Sequence, residues 1–264
     1  MQQISNTKTG MAPKSDYLPL SFSSLKAFSR SPLQFLEYKA KKSKPTAAME
    51  FGTLVHRSVL EPDKYPDSVA IWEGRRAGKN YEAFCSLHTN KDVITAQRAL
   101  EVKECQTRLQ EHPLAGGLLQ DLDKTEVEFT IDHLGLPHRG FIDGILPWAI
   151  VDLKVTKAVD HYSLQKTIWQ YKYHMQAAIY ERAAVLMGYE PEAYFIIAVE
   201  SAPPYHVAVV ELEPHYIARG HLEWEGLLQL YKDWDGSPLH QHGKEIAAEL
   251  MDAPSWVPPL DFEG

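Results

Sequence analysis

Hydrophobic and polar positions alternate along this chain in two distinct rhythms. From Ser21 to Arg30 the spacing is helical: Ser21 or Ser23 suits the N-cap, and Leu25 and Phe28, three apart, share an inner face. Ser31-Pro32 interrupts that helix, and Leu33–Lys39 restart a second with proline near its first turn. A third opens at Gly52 and ends at Glu61-Pro62, and further helical patterns cover 81–87 and 95–111 before His112-Pro113 and Gly116-Gly117 break them. From Thr125 the period changes to two. Residues 125–132, 136–145 and 149–155 read as three strands joined by short links, an antiparallel meander. One long helix is predicted over 163–187, stopped by Gly188, then strands over 193–200 and 205–212 and a helix over 214–231.

This order predicts an α/β (α+β) fold with a mixed central sheet flanked by helices. Residues 1–18 read as a flexible polar lead-in, 19–120 as a helical N-terminal part, 121–235 as the core, and 236–264 as an irregular tail. Parts 19–264 make one domain, since 264 residues are ample for a single core.

The longest apolar run, Ala193–Val199, falls far short of the roughly 18 residues of a membrane helix. With two cysteines, Cys85 and Cys105, and no apolar leader, the expectation is a cytoplasmic protein without disulfide framework, Cys-rich zinc site or iron–sulfur cluster. The charge, 27 basic against 35 acidic residues, argues against a nonspecific nucleic-acid coat but not against an enzyme with a local basic channel. Lys26, Arg30, Lys39, Lys41, Lys42 and Lys44 cluster near the N-terminus, and Arg75, Arg76 and Lys79 occupy a glycine-containing loop. Each group suits a solvated face as well as a phosphate-facing one.

The chemistry concentrates where the second and third strands end. Asp143 closes one, and Asp152 and Lys154, sharing a face, lie on the next. Carboxylates from neighbouring strands can share a hard divalent cation, with a lysine beside the water it activates. Asp-x-Lys alone is short and common and equally fits a surface pair. Around it stand His56 on a predicted helix, Glu126 and Glu128 on one side of the first strand, and Gln176 and Tyr180 four apart on the long helix with Lys172.

Taken in order, Gly52-Thr-Leu-Val-His56, Glu126-Val-Glu-Phe129, Gly140-Phe-Ile-Asp-Gly-Ile145, Val151-Asp-Leu-Lys-Val-Thr156 and Tyr173-His-Met-Gln-Ala-Ala-Ile-Tyr180 resemble the PD-(D/E)XK nuclease superfamily. Within it the chain is most similar to the exodeoxyribonuclease VIII (RecE-type) branch of phage recombination exonucleases, over about residues 20–235. The resemblance implies a restriction-endonuclease-like core with N-terminal helical additions. It further implies that His56, Asp143, Asp152 and the Leu153 carbonyl bind Mg²⁺, with Mn²⁺ able to substitute and two ions in the site. Lys154 would activate water. Glu126 would be the upstream acid, Glu128 its alternate, and Gln176 and Tyr180 would support the site and contact DNA. By charge and helix-end chemistry, Ser21, Ser23, Arg30, Ser31, Arg75, Arg76, Lys79 and Lys172 are candidates for gripping the DNA or its end, although the serines equally suit simple helix capping. One departure is Ile142, where the family usually has proline before the first aspartate. The implied activity is 5′→3′ hydrolysis of double-stranded DNA ends by a homo-oligomeric ring, a trimer or tetramer, that leaves 3′ tails for a single-strand annealing recombinase. Alternatives are an endonuclease or single-strand exonuclease of the same superfamily in repair or defence, and a catalytically silent DNA-binding subunit.

Overall fold

The structure is a computed structural model describing residues 14–40 and 44–238. The lead-in up to residue 13, Lys41, Lys42 and the tail from residue 239 lie outside the described residues.

Five strands make the central sheet: β3 (Lys124–His133), β4 (Leu136–Ile145), β5 (Ala149–Thr156), β6 (Ala193–Glu200) and β7 (Val207–Glu211) in that spatial order. A separate pair, β1 (Val69–Trp72) and β2 (Asp92–Thr95), is parallel. The meander β3–β4–β5 is antiparallel as expected, β5 and β6 run parallel, and β7 returns antiparallel. The parallel step needs a crossover, and the helices α8 (His161–Gln170) and α9 (Tyr173–Leu186) supply it.

Each sheet face has its own core. On one, Phe129, Ile142 and Ile150 pack with α9, α10 (Pro214–Asp233), α1 (Phe22–Arg30) and α2 (Pro32–Lys39). On the other, Val151, Leu153 and Ile197 pack with α3 (Ala47–Leu60), α6 (Ala96–Glu111) and α7 (Pro113–Gln120). The short α4 (Tyr65–Ser68) and α5 (Lys79–Leu87) complete the described helices. The N-terminal helices are divided between the two faces and cover the sheet, within the same core as the strands.

Leu25 and Phe28 are fully buried, and Ser21 caps α1 by accepting from the Ser24 N–H while the Ser24 hydroxyl serves the Ser21 N–H. Residues 14–18, expected in the flexible lead-in, are instead pinned. Tyr17 packs edge-on against Phe35 at 5.6 Å, and the Tyr231 hydroxyl donates to the Lys14 carbonyl at 3.0 Å.

Two further expectations change, and one pair of strands is new. The single helix over 163–187 is two, because Lys172 adopts a left-handed conformation (φ 59°) between α8 and α9. The Pro113 and Gly116 signals mark no helix-free break. Pro113 begins α7 where its missing N–H costs nothing, and Gly116 lets α7 fold tightly back on α6, since a Cβ there would lie 2.3 Å from the Gln110 carbonyl. The β1–β2 pair, four residues per strand, lacks the length for a clear alternation and went unpredicted.

Candidate active site

The β4–β5 ladder is short: only Gly144↔Val151 and Ile145↔Ile150 pair. Ile142 and Ile145 both enter the same core although three apart, so the strand alternation of β4 slips between them, at Asp143–Gly144. Beyond that point the strands part, and the Asp143 carboxylate closes the gap by accepting the Leu153 N–H at Oδ2, 2.8 Å. Opposite, on β3, Thr125 and Val127 pair with Gly144 and Ile142, but Glu126 itself takes φ 49°. A left-handed glutamate is costly, on the order of 1–2 kcal/mol, and surrounding packing must impose it.

His56 on α3 reaches this opening from one face, its Nδ1 3.8 Å from Asp143 Oδ2. Ligand atoms of His56, Glu126 and Asp143 lie within 4.8 Å of one another. From the other face α9 brings Gln176, which donates from Nε2 to Asp152 Oδ1 at 3.3 Å and to the Tyr180 hydroxyl at 2.9 Å. Asp152 is fully buried and bonded to the Lys154 ammonium at 2.7 Å, and that ammonium lies over the Tyr173 ring at 4.8 Å.

The electrostatics of this opening are unbalanced. Burial, then repulsion from Asp143 and Glu61, pushes Glu126 up to about 7. Burial likewise raises Asp143 and Asp152; repulsion from Asp143 adds to the rise in Asp152, whereas Lys154 and hydrogen bonds from the Leu153 N–H and Asp152 work against the rise in Asp143. Burial works against the Lys154 charge, but Asp152 and Asp143 outweigh it and hold the ammonium protonated. Desolvation, then the nearby Lys154, lowers His56 to about 4, so its ring is neutral at pH 7 and free to donate a lone pair. Three desolvated carboxylates thus face one ammonium and one neutral imidazole, a hard donor set that a divalent cation would relieve.

The residues implied by the resemblance fall into three groups. His56, Glu126, Asp143, Asp152, Leu153, Lys154 and Gln176 meet at the opening, with differences of role. Glu126, expected upstream as an acid, stands within the ligand cluster, whereas Asp152 is held one strand away by Lys154 and Gln176. Leu153 contributes its N–H to Asp143, and its backbone also interacts with His56. Glu128, the alternate, is exposed opposite Phe141.

Tyr180, expected to support the site and contact DNA, is 7% exposed, lies edge-on to Phe129 at 5.8 Å and accepts at its hydroxyl from Gln176, so it supports Asp152 from beneath. Lys172 is ion-paired with Glu223 of α10, whose other oxygen meets His174 Nε2 at 2.7 Å; this holds the α8–α9 corner. Ser21 and Ser31 serve as N-caps of α1 and α2, Ser23 is half-buried in the first turn, and Arg30 is exposed at the end of α1.

Arg75 and Arg76 sit on the exposed β1–α5 connection, and Lys79 opens α5. The Trp72 indole donates to the Arg75 carbonyl, and Arg76 donates to the Tyr81 hydroxyl and the Val93 carbonyl. These partners lie on β1, β2 and α5, outside the carboxylate cluster. Sequence reasoning missed Tyr173 beneath Lys154; its place three residues before Gln176 on the same helix was the available signal.

Among the described residues no helix is long and apolar enough to cross a membrane. The family profile described as "PDDEXK-like domain of unknown function (DUF3799)" matches residues 21–237. A candidate exonuclease from Eubacterium rectale, solved by crystallography, has a similar fold with TM-score 0.57 and 14% identity, covering 88% of each chain. No curated protein matches the sequence.

Proposed function

The chain belongs to the PDDEXK-like family (DUF3799), and from that premise we propose that it is a divalent-metal-dependent nuclease hydrolysing phosphodiester bonds in DNA. The observation that carries this reading is the convergence of Glu126, Asp143, Asp152, His56 and Lys154 where β4 and β5 part, with every carboxylate desolvated and short of positive charge. His56, Glu126 and Asp143 are the ligands already gathered, and Asp152 and the Leu153 carbonyl complete the proposed set.

Bound Mg²⁺ or Mn²⁺, as one ion or two, supplies Lewis acidity and lowers the pKa of coordinated water. Lys154 places fixed positive charge where the non-bridging phosphate oxygens gain charge in the transition state. Gln176, fixed by Tyr180, keeps the Asp152 carboxylate aimed. The finer reading, a 5′→3′ exonuclease on double-stranded DNA ends, rests on the motif resemblance and on the fold shared with the candidate exonuclease. The same resemblance supports a homo-oligomeric ring delivering 3′ tails to an annealing recombinase.

The test is digestion of linear duplex DNA with Mg²⁺, labelled in parallel at the 5′ and 3′ ends, with a closed circle as control. Early release of the 5′ label with the circle intact supports the proposal. A cut circle favours an endonuclease, and no cleavage favours a silent DNA-binding subunit.

A further inference from the structure

Beside Lys154 lies a strip of alternating cations and rings. Lys154 sits over Tyr173, Tyr173 stacks on Tyr171 (5.9 Å between centroids, 21° between planes), and the Lys26 ammonium stands 5.7 Å from the Tyr171 ring. Lys26 comes from α1 and also lies over Phe22 at 5.1 Å. Its ammonium has no hydrogen-bond acceptor and no carboxylate partner among the described residues, in contrast to Lys154 and Lys172.

The charged groups acting on Lys26 are themselves cations. Burial, then Lys154 and Arg30, lowers its pKa to about 8, so at pH 7 it remains mainly an ammonium without a counter-ion. Contacts with rings return only about 0.5–1 kcal/mol, less than a desolvated charge requires. Tyr171 is 41% exposed, leaving much of its surface for a further flat group.

We propose that Lys26 and Tyr171 form a nucleotide subsite beside the reacting phosphate, with Lys26 pairing to a phosphate of the bound strand and Tyr171 stacking on a base or deoxyribose. This rests on the nuclease reading for its substrate, DNA, but binding tests it separately. The subsite explains how a chain with net charge −8 holds a polyanion near a carboxylate cluster. The corner carrying Tyr171 and Tyr173 is clamped through Lys172 and His174 to Glu223, so the rings are fixed before substrate arrives.

The experiment is fluorescence anisotropy of a short 3′-labelled duplex, with either a 5′-phosphate or a 5′-hydroxyl, titrated with full-length protein in EDTA over a range of salt. Lys26→Met, which keeps the packing of the stem, should weaken binding about tenfold and reduce the salt slope by about one phosphate's share, and Lys26→Arg should restore both. Tyr171→Leu should weaken binding about tenfold and Tyr171→Phe should not. Loss with both duplexes places an internal phosphate on Lys26; loss confined to the 5′-phosphorylated duplex places the terminal one there. Lys26→Met binding like the wild type, with unchanged salt slope, would overturn the subsite, as would a wild type that binds neither duplex. Binding that follows these variants in a wild type that never cleaves DNA with Mg²⁺ would keep the subsite and defeat the nuclease reading.

Discussion

Two clusters in this molecule are built from the same residue types and behave in opposite ways. At the opening between β4 and β5, Lys154 and His56 face three carboxylates, Glu126, Asp143 and Asp152. At the α8–α9 corner, Lys172 and His174 face one, Glu223. Hydrogen bonds from His174, with further help from Lys172, hold Glu223 down at about 2. In the first cluster burial raises all three carboxylates instead, and repulsion from Asp143 adds to the rise in Glu126 and Asp152. Burial sets the sign at the opening, and hydrogen bonds from His174 and Lys172 set it at the corner. The corner is satisfied as it stands and contributes to stability, whereas the opening is left short of positive charge, which suits a place where a cation and a phosphate are to bind.

The largest expected difference is catalytic. Lys154→Ala should lower cleavage of linear DNA by roughly 10³-fold while circular dichroism stays native. Lys172→Ala should keep turnover per folded molecule within a few-fold and show its effect in thermal unfolding. A catalytic loss at Lys172 equal to that at Lys154 would erase the distinction between the clusters.

Stability should separate them next, with opposite signs. A carboxylate whose folded pKa is depressed contributes stability above its unfolded pKa and loses it as pH falls through the folded value. Glu223→Gln should therefore cost roughly 1–3 kcal/mol at pH 7 in urea denaturation. That cost should shrink between about 4.5 and about 2, the range bounded by the two pKa values. Glu126 runs the other way. Its folded pKa is raised, so the ionised form costs stability above the ordinary value of 4.5, increasingly up to about 7. Glu126→Gln should stabilise the metal-free protein at pH 8 by roughly 1–2 kcal/mol, after discount for its partial exposure, and make no difference below pH 4. Destabilisation at pH 8 would contradict the electrostatic picture of the opening.

The smallest effect belongs to the caps. Ser31→Ala should cost about 1 kcal/mol in unfolding, because its hydroxyl accepts the Gln34 N–H. If capping is its whole role, DNA affinity should stay unchanged.

Most of the opening was legible in the sequence because its chemistry follows strand and helix ends. A carboxylate after an apolar strand, Asp-x-Lys on the next strand and Gln-x-x-x-Tyr on a helix keep their relative positions under any packing of those elements. What was not legible depends on distant contacts. Nothing in Trp169-Gln-Tyr-Lys-Tyr173 signals a break, since none of these residues is glycine or proline. The corner forms where Glu223, about fifty residues later, holds Lys172 and His174, and where Gly220 admits α9 so closely that a Cβ would sit 2.0 Å from the His174 carbonyl. The same holds for Glu126. Strand alternation places it beside Glu128, and only the parted ladder and its left-handed backbone bring it, and not Glu128, into reach of Asp143 and His56. Tyr180 drew its expected role from the Gln-x-x-x-Tyr motif, which fixes the face of a helix but not what covers it.

The most direct test of the central claim, that the carboxylate opening is a divalent-metal site, is isothermal titration of Mn²⁺ into metal-stripped protein at pH 7.5, wild type beside Asp143→Asn and Glu223→Gln. Wild type and Glu223→Gln should bind saturably, with release of protons from the raised carboxylates, and Asp143→Asn should lose that binding. Equal binding by wild type and Asp143→Asn, or none by the wild type, would contradict it.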